Sequence, residues 1–117
     1  MEFSSPEAMV LARVGGRQFA LPAEEVREIH PVAEPAPVPD WPEHALGLLD
    51  LHGELIPLID PAPALGGDPT PIAPAQLMLV LEGGGRPWAI LVDEVVGVRD
   101  VPVQRASTLG REPLVPA

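Results

Sequence analysis

Residues 16–29 can be laid without a gap on residues 85–98, an offset of 69 positions. Gly16/Gly85, Arg17/Arg86, Ala20/Ala89, Glu25/Glu94 and Val26/Val95 are identical, and Phe19/Trp88, Leu21/Ile90, Glu24/Asp93 and Ile29/Val98 keep their chemical character. Nine of fourteen positions therefore agree in kind, where composition alone would give roughly one identity. Any fold for this chain has to be built from two copies of one supersecondary unit.

The local pattern says what that unit is. Met9 to Val14 and Gln18 to Leu21 flank Gly15-Gly16-Arg17, the arrangement of two strands joined by a tight turn that needs positive φ. A third run, Glu25 to His30, alternates apolar and charged residues as a half-buried strand does. The second copy repeats the order with Leu77 to Leu81, a Gly83-Gly84-Gly85 turn, Trp88 to Val92 and Val95 to Val98. Between the copies, Ala45 to Leu51 and Leu55 to Asp60 read as two more strands around Gly53-Glu54. Pro57 inside the latter predicts an edge position or a bulge. Pro31 to Pro42 and Pro61 to Pro74 read as extended connectors. No amphipathic helix is visible, and many short strands with frequent turns predict an all-β barrel or sandwich.

At 117 residues the chain is one domain by length. Its only aromatic residues are Phe3, Phe19, Trp41 and Trp88, so the core has to come from Val, Leu, Ile and Ala. Seventeen Pro and eleven Gly approach a disordered composition, but the recurring apolar runs have no use in a solvated chain. Adding 69 to Glu54 through Asp60 gives positions 123–129, past Ala117. The second copy is thus expected to lack its closing strand and to leave an open edge.

A formal charge of −10 argues against nucleic acid and anionic membrane as partners, since neutralising phosphates needs clustered cations. There is no Cys, which removes disulfides, thiolate zinc sites and cysteine nucleophiles. The first residues lack a basic n-region and no apolar run spans a bilayer, so a cytoplasmic location without membrane insertion is expected.

Hydrolytic chemistry would have to use Asp60, Asp93, Glu94, His30, His44 or His52. Glu24-Glu25 and Asp93-Glu94 are sequence neighbours, which in a strand point to opposite faces and cannot share a proton. The His residues stand 14 and 8 apart, which matches no local metal motif, so surface or satisfied core roles are expected and no metal or cofactor is assigned. Gly83-Gly84-Gly85-Arg86 lacks the Lys-Ser/Thr of a phosphate cradle and reads as a hairpin turn. Trp88 is expected in the core opposite Phe19, and Trp41 as a barrel plug or a binding anchor. With no catalytic residue assigned, the expectation is a binding protein rather than an enzyme; a small hydrolase using Asp60 or Asp93 with a His is the remote alternative.

Gly47-Leu48-Leu49-Asp50-Leu51-His52-Gly53-Glu54-Leu55-Ile56-Pro57-Leu58-Ile59-Asp60 resembles the signature of the CheW coupling proteins of bacterial chemotaxis, G-x-x-N-L-R-G followed by a variable residue and a Pro-containing apolar strand ending in Asp. Phe19-Ala20-Leu21-Pro22, Val26-Arg27-Glu28-Ile29 and Trp88 through Val95 resemble its flanking segments. The resemblance implies two pseudo-symmetric SH3-like five-stranded barrels, one over about 17–68 and the other, incomplete at its C-terminal end, over about 9–16 plus 75–117. It implies an adaptor between the regulatory domain of a CheA-type histidine kinase and the cytoplasmic tip of a methyl-accepting receptor. The corresponding contact residues are Val26, Glu28, Gly47, Asp50, His52 and Gly53. His52 stands where the family usually has Arg, exchanging a permanent forked cation for an imidazole. That departure, with the missing strand, leaves room for a divergent module in surface motility or second-messenger signalling, and the open edge for a homodimer.

Overall fold

Two Gly-Gly pairs fold the two copies into hairpins of one register. The computed structural model describes residues 2–106, with the side chains of residues 6–82 and 84–102. The strands in chain order are β1 (Glu2–Val14), β2 (Arg17–Pro22), β3 (Val26–Pro31), β4 (Ala45–Leu51), β5 (Glu54–Ile59), β6 (Leu77–Gly83), β7 (Arg86–Val92) and β8 (Glu94–Ala106). No α-helix occurs among the described residues, only 3-10 turns at Ala23–Glu25 and Pro63–Leu65. The fold is all-β, as the sequence predicts. At the β1–β2 turn Gly15 and Gly16 have φ of 56° and 77°, and at the β6–β7 turn Gly84 and Gly85 have 75° and 94°. Two consecutive positive φ values match the twist of a two-residue hairpin, and side chains resist them.

The registers repeat with the sequence. Met9↔Pro22 and Ala12↔Phe19 in β1–β2 recur 69 residues on as Met78↔Leu91 and Leu81↔Trp88 in β6–β7. The third strands are exchanged: β3 pairs with β6 of the other copy, and β8 pairs with β1. Val26↔Leu81 and Ile29↔Leu79 correspond to Val95↔Ala12 and Val98↔Val10. Even the bulge recurs, leaving Arg27 unpaired in one ladder and Val96 in the other. The result is a three-stranded sheet in the order β2-β1-β8 and a five-stranded sheet in the order β3-β6-β7-β5-β4.

β6 and β7 form a wall with a core on each side. Leu79, Leu81, Ile90 and Val92 face Val10, Ala12, Val14 and Phe19 of the other hairpin. Met78, Val80, Ala89 and Leu91 face Leu49, Leu51, Ile56 and Leu58 of β4–β5. Burial on both faces explains why these two strands carry unbroken apolar runs instead of an alternation. The five-stranded sheet curls around the second of these cores. Its seam is closed by the connector after β3, where the Ala36 N–H donates to the Leu48 carbonyl at 2.8 Å and the Leu48 N–H to the Ala36 carbonyl at 2.9 Å. Gly47 lies under this crossing, where a Cβ would run into the Ala36 carbonyl.

Several expectations are corrected. β1 and β8 are 13 residues each, far longer than the runs 9–14 and 95–98 suggest, because they pair with each other from Glu2↔Ala106 to Arg13↔Glu94. Pro57 is not on an edge strand: β5 lies between β7 and β4. Its ladder to β7 is limited to Leu58 and Ile59, so the missing N–H interrupts nothing on that side. Trp88 is not core. It is 37% exposed whereas its repeat partner Phe19 is 6% exposed, and it lines a groove beside Ile59 of β5 and Pro61 and Pro63 after it. Residues 107–117, the C-terminal end of the expected second barrel, lie outside the described residues.

Leu79→Ala and Leu91→Ala open cavities on opposite faces of the shared wall, and each is expected to lower the unfolding free energy by about 2–5 kcal/mol. Urea denaturation measures this; a loss of only a few tenths of a kcal/mol in either would show that its face is not sealed.

Candidate functional site

β3 and the β4–β5 turn meet across the seam of the five-stranded sheet. Glu28 and His30 are two apart on β3 and so share a face. His52 occupies the turn in the left-handed region, φ 55°, followed by Gly53 at φ 79°. His is among the side chains that tolerate this conformation. The Gly53 N–H donates to Asp50 Oδ1 at 3.1 Å and fixes the turn. His52 Nε2 thereby lies 3.5 Å from Glu28 Oε1, and His30 Nε2 lies 2.9 Å from the same oxygen. Arg27, the bulged residue, donates to Glu54 Oε1 at 2.9 Å and lies 3.7 Å from Glu82. The Glu54 hydrogen bond, aided by the surrounding carboxylates, holds the guanidinium above its ordinary pKa.

Of the six sequence-predicted contact residues, Glu28, Asp50, His52 and Gly53 are thus gathered at one end of the barrel. Val26 and Gly47 are not. Val26 packs against the core between the two hairpins, and Gly47 is buried beneath the Ala36 crossing. His30 and Arg27 join the cluster without having been singled out as contacts. The two-residue spacing of Glu28 and His30 is the signal that could have found His30.

A second feature is apolar. Phe19 and Leu21 of β2, Ile59 of β5, and Trp88 and Ile90 of β7 line a groove where the two sheets meet, with Pro61 and Pro63 at its side. Trp88 also walls a neighbouring groove with Trp41, Leu48, Leu55 and Pro57, in which Leu55 is 66% exposed. Trp41 is therefore part of a surface and not a barrel plug.

The two carboxylates considered for hydrolysis hold backbone. Asp60, 2% exposed, accepts the Ala62 N–H at 3.0 Å and the Thr70 N–H at 2.7 Å. Asp93 accepts the Gly15 N–H at 2.8 Å and the Gln76 side-chain amide at 3.0 Å, tying the first hairpin turn to the β7–β8 corner.

The CheW-like domain family matches residues 8–114. The chain belongs to this family. It is 28% identical over 93 residues to the probable chemotaxis protein CheW of Rhizobium etli, covering 80% of this chain and 60% of that protein. Protein PilI of Pseudomonas aeruginosa is 30% identical over 95 residues, with 81% and 53% covered, and protein FrzA of Myxococcus xanthus 29% over 91 residues, with 78% and 57% covered. The chain thus spans between 53 and 60% of the length of these CheW-like relatives. A crystal structure of the scaffolding protein TtCheW from Thermoanaerobacter tengcongensis has the same fold, with a TM-score of 0.75 at 23% identity over 83% of this chain and 66% of that one. Among the described residues, no helix is long and apolar enough to cross a membrane.

Replacing Asp60 with Ala strands two amide donors, and unmet buried hydrogen bonds cost about 1–3 kcal/mol. Lower stability with faster hydrogen exchange at the Thr70 amide is expected; unchanged exchange there would remove Asp60 from the role of loop anchor.

Proposed function

We propose that this chain is a non-enzymatic, cytoplasmic adaptor of chemotaxis-type signalling, joining the regulatory domain of a CheA-type histidine kinase to the cytoplasmic tip of a methyl-accepting receptor. The observation that carries the reading is the apolar groove between the sheets, with Trp88 on its rim, in a chain of the CheW-like family. An exposed Trp beside aliphatic residues, surrounded by a chain of charge −10, favours protein over polyanion. In this reading the junction groove takes the receptor, and Glu28, Asp50, His52 and Gly53 on the barrel seam meet the kinase. Val26 and Gly47 shape the strands that carry those residues. The division into a barrel over about 17–68 and another over about 9–16 plus 75–117 belongs to the same proposal.

The internal repeat supports a homodimer through the open edge. β7 is hydrogen-bonded on both sides, to β6 and β5, whereas its counterpart β2 pairs only with β1 among the described residues. A strand added alongside Ala20 and Leu21 would reproduce the parallel pairing of Leu58 and Ile59 with Ala89 and Ile90.

A second reading, a CheW-like module of another pathway, is favoured by His52 and by identities to PilI and FrzA no lower than to the CheW protein. Its discriminating variant is His52→Arg, which would restore coupling to a standard chemotaxis kinase if the imidazole marks divergence.

Pull-down and titration with the kinase regulatory domain and a receptor cytoplasmic fragment test the adaptor. Trp88→Ala is expected to weaken receptor binding by about tenfold or more with an unchanged far-ultraviolet spectrum; binding of the wild-type chain to neither partner would end the proposal. Light scattering tests the dimer separately, since a monomer at every concentration removes the open-edge contact and leaves the adaptor standing.

A further inference from the structure

The seam cluster holds more than a contact surface. Glu28, His30 and His52 offer one ligand atom each, and the three atoms lie within 4.8 Å of one another. They come from a strand and a turn 22 residues further along, which is why no local spacing announces them. The two imidazole rings stand 5.8 Å apart between centroids at 61°, edge to face, so that they converge on Glu28 instead of stacking. Glu28 Oε1 is buried and makes no hydrogen bond, although His30 Nε2 is 2.9 Å away and His52 Nε2 3.5 Å away. A buried carboxylate oxygen without a hydrogen bond is costly, and a cation shared between it and the two nearby imidazole nitrogens would satisfy it.

From this geometry we propose that Glu28 Oε1, His30 Nε2 and His52 Nε2 form a three-ligand site for a divalent late first-row transition-metal ion, represented by Zn²⁺. Two imidazoles and one carboxylate, with no thiolate, suit Zn²⁺ and its neighbours and not the all-oxygen shells that Ca²⁺ and Mg²⁺ prefer. Ligand bonds of roughly 2.0–2.2 Å in a tetrahedron place ligand atoms roughly 3.4 Å apart, inside the span observed here. The His52 side chain is 66% exposed, so an ion bound there would stay within reach of water or of a donor from another molecule. Arg27, which precedes Glu28 in β3, is already engaged by Glu54 and Glu82, which offset its charge. The bound ion would staple β3 to the β4–β5 turn and hold the barrel seam shut. That the same ion also governs partner access rests on the adaptor reading above; the metal binding itself does not.

Calorimetric titration of the chelator-treated full chain with Zn²⁺ is the test, read together with thermal denaturation. One ion per chain is expected, with a raised melting temperature that a chelator reverses. His52→Arg, His30→Gln and Glu28→Gln should each weaken binding by about tenfold or more, the scale set by loss of even an outer-sphere partner, and remove the thermal shift. His44→Gln, away from the cluster, should change neither. His52→Arg alters an exposed turn residue to the one usual in the family, so a folded spectrum for that variant keeps the comparison valid even if changes on β3 unfold the chain. No saturable binding, non-stoichiometric binding shared by all variants, or full affinity in His52→Arg would each overturn the site.

Discussion

The fold depends on one hairpin that is buried on both faces. β6 and β7 give their odd side chains in one strand and even ones in the other to the core between the two copies, and the remaining set to the core under β4–β5. At roughly 1.5–3 kcal/mol for each large aliphatic side chain buried, the eight residues concerned contribute more than any other element, against a total margin of about 5–15 kcal/mol for a domain. Every surface discussed above is positioned by that wall. The groove rimmed by Trp88 runs along its edge, and the seam cluster sits where the sheet containing it closes on itself.

The repeat made the strands and both hairpin turns legible, because period-two patterns and Gly-Gly pairs are local. Which strand pairs with which was not legible: nothing in Val26 to Pro31 says that its neighbour is Leu77 to Leu81 and not Met9 to Val14. The exchange of third strands is a choice between two edges of the same pattern, Met9 to Ala12 in one copy and Met78 to Leu81 in the other, all apolar. The same equivalence misled on Trp88, whose sequence partner Phe19 is core. The copies differ in surroundings: β5 lies beside β7, and β2 has no such neighbour among the described residues. Pro57 predicts an edge strand, yet β5 is interior, because its ladder to β7 starts one residue later at Leu58.

For the site, family resemblance pointed to the β4–β5 turn and to Glu28, and the curl of the sheet joins them. His30 is not announced by sequence spacing, because a sheet closed on itself brings together residues 22 apart in the chain. Of the two candidate carboxylates, Asp60 accepts backbone N–H groups from the proline-rich segment after β5, and Asp93 accepts one from the Gly15 hairpin turn.

The reciprocal exchange of third strands also bears on folding. Glu2 pairs with Ala106 and Val10 with Val98, so the outer edge of β1 is matched only by the last described strand. Contacts this distant in sequence make for slow, late closure and a nascent chain that exposes bare strand in the meantime. Neither copy keeps its own third strand, so each completes its pairing only with the other.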